Sequence, residues 1–599
     1  MTLNNLNGNN HDENNNITSE NSENFGSSPR ADAGCGTEPA ACGALNSCAL
    51  PDGETSRSAE KSGFVKNVGY VGFATFISRI FGLLREQTFA GLFGAGAFTD
   101  AFNVAFKIPN LLRDLFAEGA LSSAFVTIFS EYKSLKSEAE TNKLANVVVS
   151  TLITVIGIIC AAGIFFSDDI VRYMAPGFEN TPGKIELTVL MTKITFPFLI
   201  LVAAAAVFMG MLNSCGRFFI PAFAPTLFNL GMIASGFSIC YIFKYMGQEP
   251  IIGMAWGVLI GGSLQMMIQY VSLKKLNYRF KFSLNFRHEG LIRIVKLMLP
   301  ATIGLAATQI NVFINTWLAS RLADGAISYL NYSFRLMQLP IGIFGVAISS
   351  VTLPMIVSQI AKGEKNKLAG TITSSLSLVF LLTIPATFGL IFLKEPIISL
   401  LYEHGRFTRA DTINTGYALL GYSVGLFGYS AVKILAPVFY AFNETKIPVL
   451  ASIASVVCNI FLNFILIQKY SYFGLALATS IAMILNFIIL FTFVKLRIRA
   501  VAVKKIISSF LKITLASLFM GILLFYIYDG VFIYMKPLFF GFNTLYNLFT
   551  LSILIPLGAM VLFNLGDKLN VEEVKTLSAV LRDKFNRVIN SVIKLSKTE

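Results

Sequence analysis

The residues of this chain that could do chemistry are arginines and carboxylates set inside apolar sequence. Between Ser78 and Ser130 it reads SRIFGLLREQTFAGLFGAGAFTDAFNVAFKIPNLLRDLFAEGALSSAFVTIFS. On an ideal helix Ser78, Arg79, Gly82, Arg85 and Glu86 share an arc of roughly 120°. Beyond the turn Gly94–Ala95–Gly96, Asp100, Asn103, Lys107, Asn110, Asp114 and Glu118 share roughly 80°, with Arg113 to one side. An ionisable group at the bilayer centre costs about 3 kcal/mol on insertion scales, so faces this charged cannot look at lipid. The pattern calls for two helices lining a watery cavity. Its candidate cations are Arg79, Arg85, Lys107, Arg113 and Arg335, and its candidate anions Glu86, Asp100, Asp114 and Glu118. Arginine grips phosphate through two parallel hydrogen bonds and stays charged, so the set suits a phosphorylated or otherwise anionic headgroup. A simple mutual locking of the two helices by ion pairs is the competing account. His288 and His404 lie in loops, and no nucleophile–base pair, metal cluster or phosphate-cradling glycine loop is present. The sequence therefore points to neither an enzyme nor an ATP-driven pump.

The elements that must position these residues are membrane helices. Hydrophobic residues make up 54% of the 599 and charged residues 14%, against about 25% charged in soluble domains; mean hydropathy is +0.65. A span needs about 20 mostly apolar residues. Fourteen such segments are expected in an all-α chain, near 63–92, 98–133, 145–167, 185–213, 220–244, 250–273, 291–322, 325–360, 369–393, 410–442, 447–468, 472–494, 505–528 and 540–564. Residues 1–62, rich in Asn, Ser, Glu and Gly, read as a disordered tail without the apolar core of a signal peptide. The seven cysteines are scattered and form no CxxC pair, which speaks against a disulfide framework or structural zinc. The net charge of +14 resides in loops rather than on one soluble face, which argues against nucleic acid. Lys274, Lys275, Arg279, Lys281 and Arg287 follow span six, and Lys495, Arg497, Arg499, Lys504 and Lys505 follow span twelve. By the positive-inside rule both termini are expected in the cytoplasm. The end of the chain, 568–599, carries Val574, Leu577, Leu581, Phe585, Val588 and Val592 at helical steps, as a cytoplasmic amphipathic helix would.

A repeat runs through the spans. A shift of 228 residues (331 − 103) pairs Asn103 with Asn331, Phe106 with Phe334, Phe116 with Phe344, Ser122 with Ser350 and Ser130 with Ser358. On the polar face it pairs Asp100 with Ser328, Lys107 with Arg335 and Asn110 with Gln338. Span two thus matches span eight, and an even number of intervening spans makes the copies parallel, as in two-lobed carriers. The expected divisions are a first lobe at 63–282, a second at 283–497, and a final helix pair at 498–567. The copies differ in charge: Arg113, Asp114 and Glu118 correspond to Ile341, Gly342 and Val346.

These motifs resemble a known family. SRIFGLLRE, GAGAFTDAFNVAFKIPNLLRDLFAEGALSSAF, APGF at 175–178, KITFPF at 193–198, RFFIPAFAPTLFN at 217–229, FRLMQLPIGIFGVAI at 334–348 and LAPVFYA at 435–441 are similar to the MurJ (MviN) family of the multidrug/oligosaccharidyl-lipid/polysaccharide exporter superfamily. The resemblance covers about residues 63–570. It implies a monomeric flippase of the bacterial inner membrane, moving the undecaprenyl-diphosphate-linked peptidoglycan precursor lipid II between leaflets by alternating access. The alternatives are a drug/cation antiporter, which would want an acidic cavity, or a flippase for another polyprenyl-linked glycan. The family's arginines map onto Arg79, Arg85, Arg113 and Arg335, with Ser78, Asp100, Glu118 and Ser328 nearby; Lys107 and Glu86 complete the expected binding set. The last two spans are expected to hold the polyprenyl tail. No cofactor is implied, and coupling to the membrane potential or a monovalent cation is left open. Where some relatives bind sodium through carboxylates, this chain has Asn315, Asn459 and Asn463, whose neutral amides offer only low affinity.

Overall fold

The computed structural model describes residues 53–115, 120–539 and 541–579, all of whose regular elements are helices. The first is Gly53–Phe93, so ten residues assigned to the tail are helical; the rest of that tail, 1–52, lies outside the described residues. Helices fall on each expected segment. Among the described residues nine are long and apolar enough to cross a membrane, or ten if the bent pair Arg409–Ser423 and Leu426–Ala441 is one span. The first, second and seventh segments are not among these, and the first two are the charged ones that carry the candidate site. Spans eleven and twelve run as one element, Lys446–Arg497, broken at Ser471, whose φ of 52° places it in the left-handed region.

The repeat is visible in the backbone. Span eight consists of Ala326–Pro340, a π-helical turn at Ile341–Gly345 and Val346–Ala361. Span two consists of Ala97–Arg113, a π-helical turn beginning at Asp114 and Leu115, and Ala120–Leu135. The two breaks fall at equivalent positions, although a proline stands immediately before only the second. A π turn widens the helix and commonly marks a functional point.

Packing joins the lobes at one end and separates them at the other. At the end carrying Gly94, one continuous core holds Ala90 and Phe102 from the first lobe with Ile327, Tyr332 and Phe407 from the second. At the opposite end there are two cores. One gathers Phe125, Val148 and Phe208; the other gathers Ile372, Phe380, Leu435 and Phe439. Span seven, Glu289–Ser320, begins in the first-lobe core through Leu291 and Ile294, and Arg293 forms a bidentate pair with Glu131 at 2.6–2.7 Å. A lobe boundary at residue 283 therefore cuts ahead of a helix whose first turns pack with the first lobe. The last pair, Val503–Ile527 and Asn543–Lys568, adds a core of Met520, Leu524, Tyr546 and Leu554.

The expected amphipathic tail departs from its simple reading. Val571 and Val574 are buried in the second-lobe core, and Lys505 and Ser509 of span thirteen bond Glu572 and Glu573. Its start is docked on protein, and residues 580–599 lie outside the described residues.

Candidate functional site

The charged face of the first helix meets the second lobe. Glu86 accepts a hydrogen bond from Arg85 and stands 3.3 Å from Arg335 of span eight. Its side chain and that of Arg85 are 16% and 14% exposed, whereas Arg335 is 52% exposed. Sequence neighbours start out on different headings along a helix, yet the long arginine side chain curls back to the adjacent carboxylate. The same happens at Arg113, which bonds Asp114 at 2.8 Å. Arg85 also lies 5.8 Å from the centre of the Phe228 ring. Two turns earlier the Arg79 guanidinium lies against Gly342 in the π turn of span eight. The Ser78 carbonyl accepts a hydrogen bond from Asn229 at 3.3 Å. Arg79, Arg85 and Arg335 thus share the seam between the lobes, and Glu86 pairs with the last two. Glu118 lies outside the described residues.

Asp100 and Ser328 do something different. One Asp100 oxygen accepts from the Ser328 backbone N–H at 2.9 Å and its hydroxyl at 2.6 Å; the other accepts from Gly325 N–H at 2.7 Å. Lys184 lies 3.4 Å from Asp100 and 2.6 Å from Asp324, with its ammonium 3.9 Å from the centre of the Phe178 ring. Asn103 donates to the Ser328 hydroxyl at 3.2 Å. Asp100 and Lys184 are only 2% and 4% exposed. The carboxylate's oxygens are engaged by protein donors, so this is a latch between the lobes. The first turn of span eight supplies its backbone donors, as a helix N-terminus does for anions. Beside it, the Arg406 N–H donates to Gly91 O at 2.8 Å and Tyr332 OH to Gly94 O at 3.2 Å. Gly94 has φ +68°, and a Cβ there would stand 2.6 Å from Arg406 O, so only glycine allows this approach.

Lys107 faces a separate cavity of about 230 Å³, shared with Asn311, Asn315, Asn331, Phe334 and Thr479. Next to it Asn463 donates to Asn315 and Asn459 donates to Thr479 at 3.3 Å. The Asn459 and Asn463 side-chain oxygens are buried and accept nothing among the described residues. The three asparagines expected as weak cation ligands therefore do gather, with neutral oxygens alone.

Sequence reasoning missed Lys184, Asp324 and Asn229. A lysine opening a helix after Gly183 reads as a solvated end, and the partners of Asp100 lie 84 and 225 residues away. Only the pairing of Asp100 with Ser328 through the repeat carried a signal.

Two parallel-repeat lobes, closed at one end over a charged seam, define a polytopic membrane transporter. A family model described as lipid II flippase MurJ matches residues 89–547. A probable lipid II flippase MurJ of Buchnera aphidicola subsp. Acyrthosiphon pisum is 37% identical over 420 residues, 70% of this chain and 81% of its own length. The lipid II flippase MurJ of Burkholderia cenocepacia is 35% identical over 421 residues, 70% of this chain and 81% of its own. A solved structure of lipid II flippase MurJ in an inward closed conformation superposes with a TM-score of 0.69 at 31% identity, covering 83% of this chain and 99% of that one. An inward-facing multidrug transporter of the MATE family shares the fold at 16% identity, with a TM-score of 0.58 over 71% of this chain and 95% of its own. The chain belongs to the MurJ family.

Proposed function

We propose that this protein is a transporter, not an enzyme, and that it flips lipid II from the inner to the outer leaflet of a bacterial cytoplasmic membrane. Family membership supplies the substrate. The observation that carries the reading onto this chain is the seam, where Arg85 and Arg335 pair with Glu86 and Arg79 lies at Gly342 with no carboxylate partner among the described residues. That excess of cations suits a diphosphate and disfavours a cationic drug. Burying unpaired polar groups costs several kcal/mol each, so the headgroup needs this seam as its solvent while the polyprenyl tail stays in lipid, along spans thirteen and fourteen. The basic loops support a reading with the open end in the cytoplasm and the Asp100 latch outside, where the lobes part to release the headgroup.

Outward movement of a dianion is favoured by an inside-negative potential, by about 2.3 kcal/mol per charge per 100 mV. The asparagine cluster offers a cation no charge, so the reading assigns the drive to the potential. The test is depletion of the protein in growing cells followed by leaflet-resolved measurement of lipid II. Accumulation in the inner leaflet is expected; an unchanged distribution would refute the assignment.

A further inference from the structure

The two repeat copies hold opposite chemistry at one point of the π turn. In span two that point is Asp114, which pairs with Arg113 and neutralises it. In span eight it is Gly342 (342 − 114 = 228), and the side chain that comes to it is Arg79 of the other lobe. A Cβ built on Gly342 would stand 2.5 Å from Arg79 Nη1 and 3.2 Å from Cζ and Nη2. The guanidinium therefore lies directly over the backbone, at a distance no side chain permits. The turn that carries this seat packs closely on a neighbouring helix, where a Cβ built on Gly345 would stand 3.2 Å from the Ser430 side chain. Among the described residues Arg79 has no carboxylate partner.

We propose that Gly342 is a positioning residue: a bare seat that lets Arg79 cross from the first lobe to the second and keeps its charge unspent for the substrate diphosphate. This rests on the arginine-seam reading and adds the element that holds Arg79 in place without neutralising it. An acid at this position, as in the other copy, would hold the arginine equally well and take its charge.

Two substitutions separate seat from charge. Gly342→Ala meets only the tip of a flexible side chain and favours the helix, so the protein is expected to fold and to insert at wild-type levels with Arg79 pushed aside. Gly342→Asp supplies the missing carboxylate and is expected to raise the melting temperature of purified protein when Arg79 is present, but not in an Arg79→Ala background. That coupled shift tests the seat without reference to transport. In proteoliposomes, lipid II flipping is expected to fall about tenfold in Gly342→Ala, the equivalent of one charged hydrogen bond, and at least as far in Gly342→Asp. Adding Gly342→Ala to Arg79→Ala should cause no further loss. Absence of the Arg79-dependent thermal shift would overturn the seat. A coupled thermal shift with wild-type flipping in both Gly342 variants would keep the seat and overturn its role toward the diphosphate.

Discussion

Spans two and eight are the same element twice, and they have diverged into a giver and a receiver. Span two carries Asp100, Arg113 and Asp114; the equivalent residues of span eight are Ser328, Ile341 and Gly342. Across the pseudo-twofold axis the copies meet as complements: the Asp100 carboxylate accepts from the hydroxyl and backbone of Ser328, its own repeat equivalent. Two aspartates there would repel, and two serines would leave Lys184 without its second carboxylate. The difference between the copies makes the contact asymmetric, with a carboxylate on one side and its hydrogen-bond donors on the other. At the other functional point it has left one arginine neutralised, Arg113, and one not, Arg79.

The largest effect of breaking this complementarity is expected at Asp100. Asp100→Ala removes the acceptor for three donors and half of a buried pair, a change worth about 3–5 kcal/mol. Its melting temperature should fall, and a cysteine at buried Thr99 should become reactive to a water-soluble maleimide. Next come the receivers of the substrate. Arg85→Ala and Arg335→Ala should each slow lipid II flipping about tenfold to a hundredfold, the range of one charged hydrogen bond, at unchanged membrane levels. Lysine should restore only part, lacking the planar fork. Ser328→Ala is milder: the backbone N–H still reaches Asp100, so a loss of about 1 kcal/mol in thermal stability is expected. Smallest of all is Lys505→Ala, which breaks an exposed pair with Glu572. No change in flipping rate is expected, and a marked loss would make the docked end of the chain part of the mechanism.

How much of this could be read beforehand follows from range. The helices, the repeat and the charged arcs are local or periodic, so the pattern of Arg79, Arg85 and Glu86 was legible, as was the pairing of position 100 with 328. The division of labour was not. Asp100 looked like one more cavity charge, because its partners Lys184, Gly325 and Ser328 come from two distant helix starts. Arg113 stands to one side of the arc that holds Asp114, yet pairs with it, because helix phase says nothing about where a long side chain curls. The end of the chain reads as a cytoplasmic amphipathic helix because helical steps alone cannot tell an interface from a neighbouring helix, and Val571 and Val574 found protein. The asparagine cluster was legible as a resemblance, and its lack of charge was plain in the sequence.

The central claim is that the lobes part and rejoin at the end held by Asp100 and Ser328. Thr99 and Ile327 flank that contact as repeat equivalents (327 − 99 = 228), and both are buried there. In a background free of Cys160, Cys215, Cys240 and Cys458, and of the three cysteines near the N-terminus, Thr99→Cys and Ile327→Cys should crosslink, or a neighbouring pair should, since closure needs Cα atoms within about 7 Å. The account predicts that lipid II flipping stops in the crosslinked protein and returns on reduction. Flipping at the uncrosslinked rate, with the bond shown to be intact at every pair tried, would contradict it.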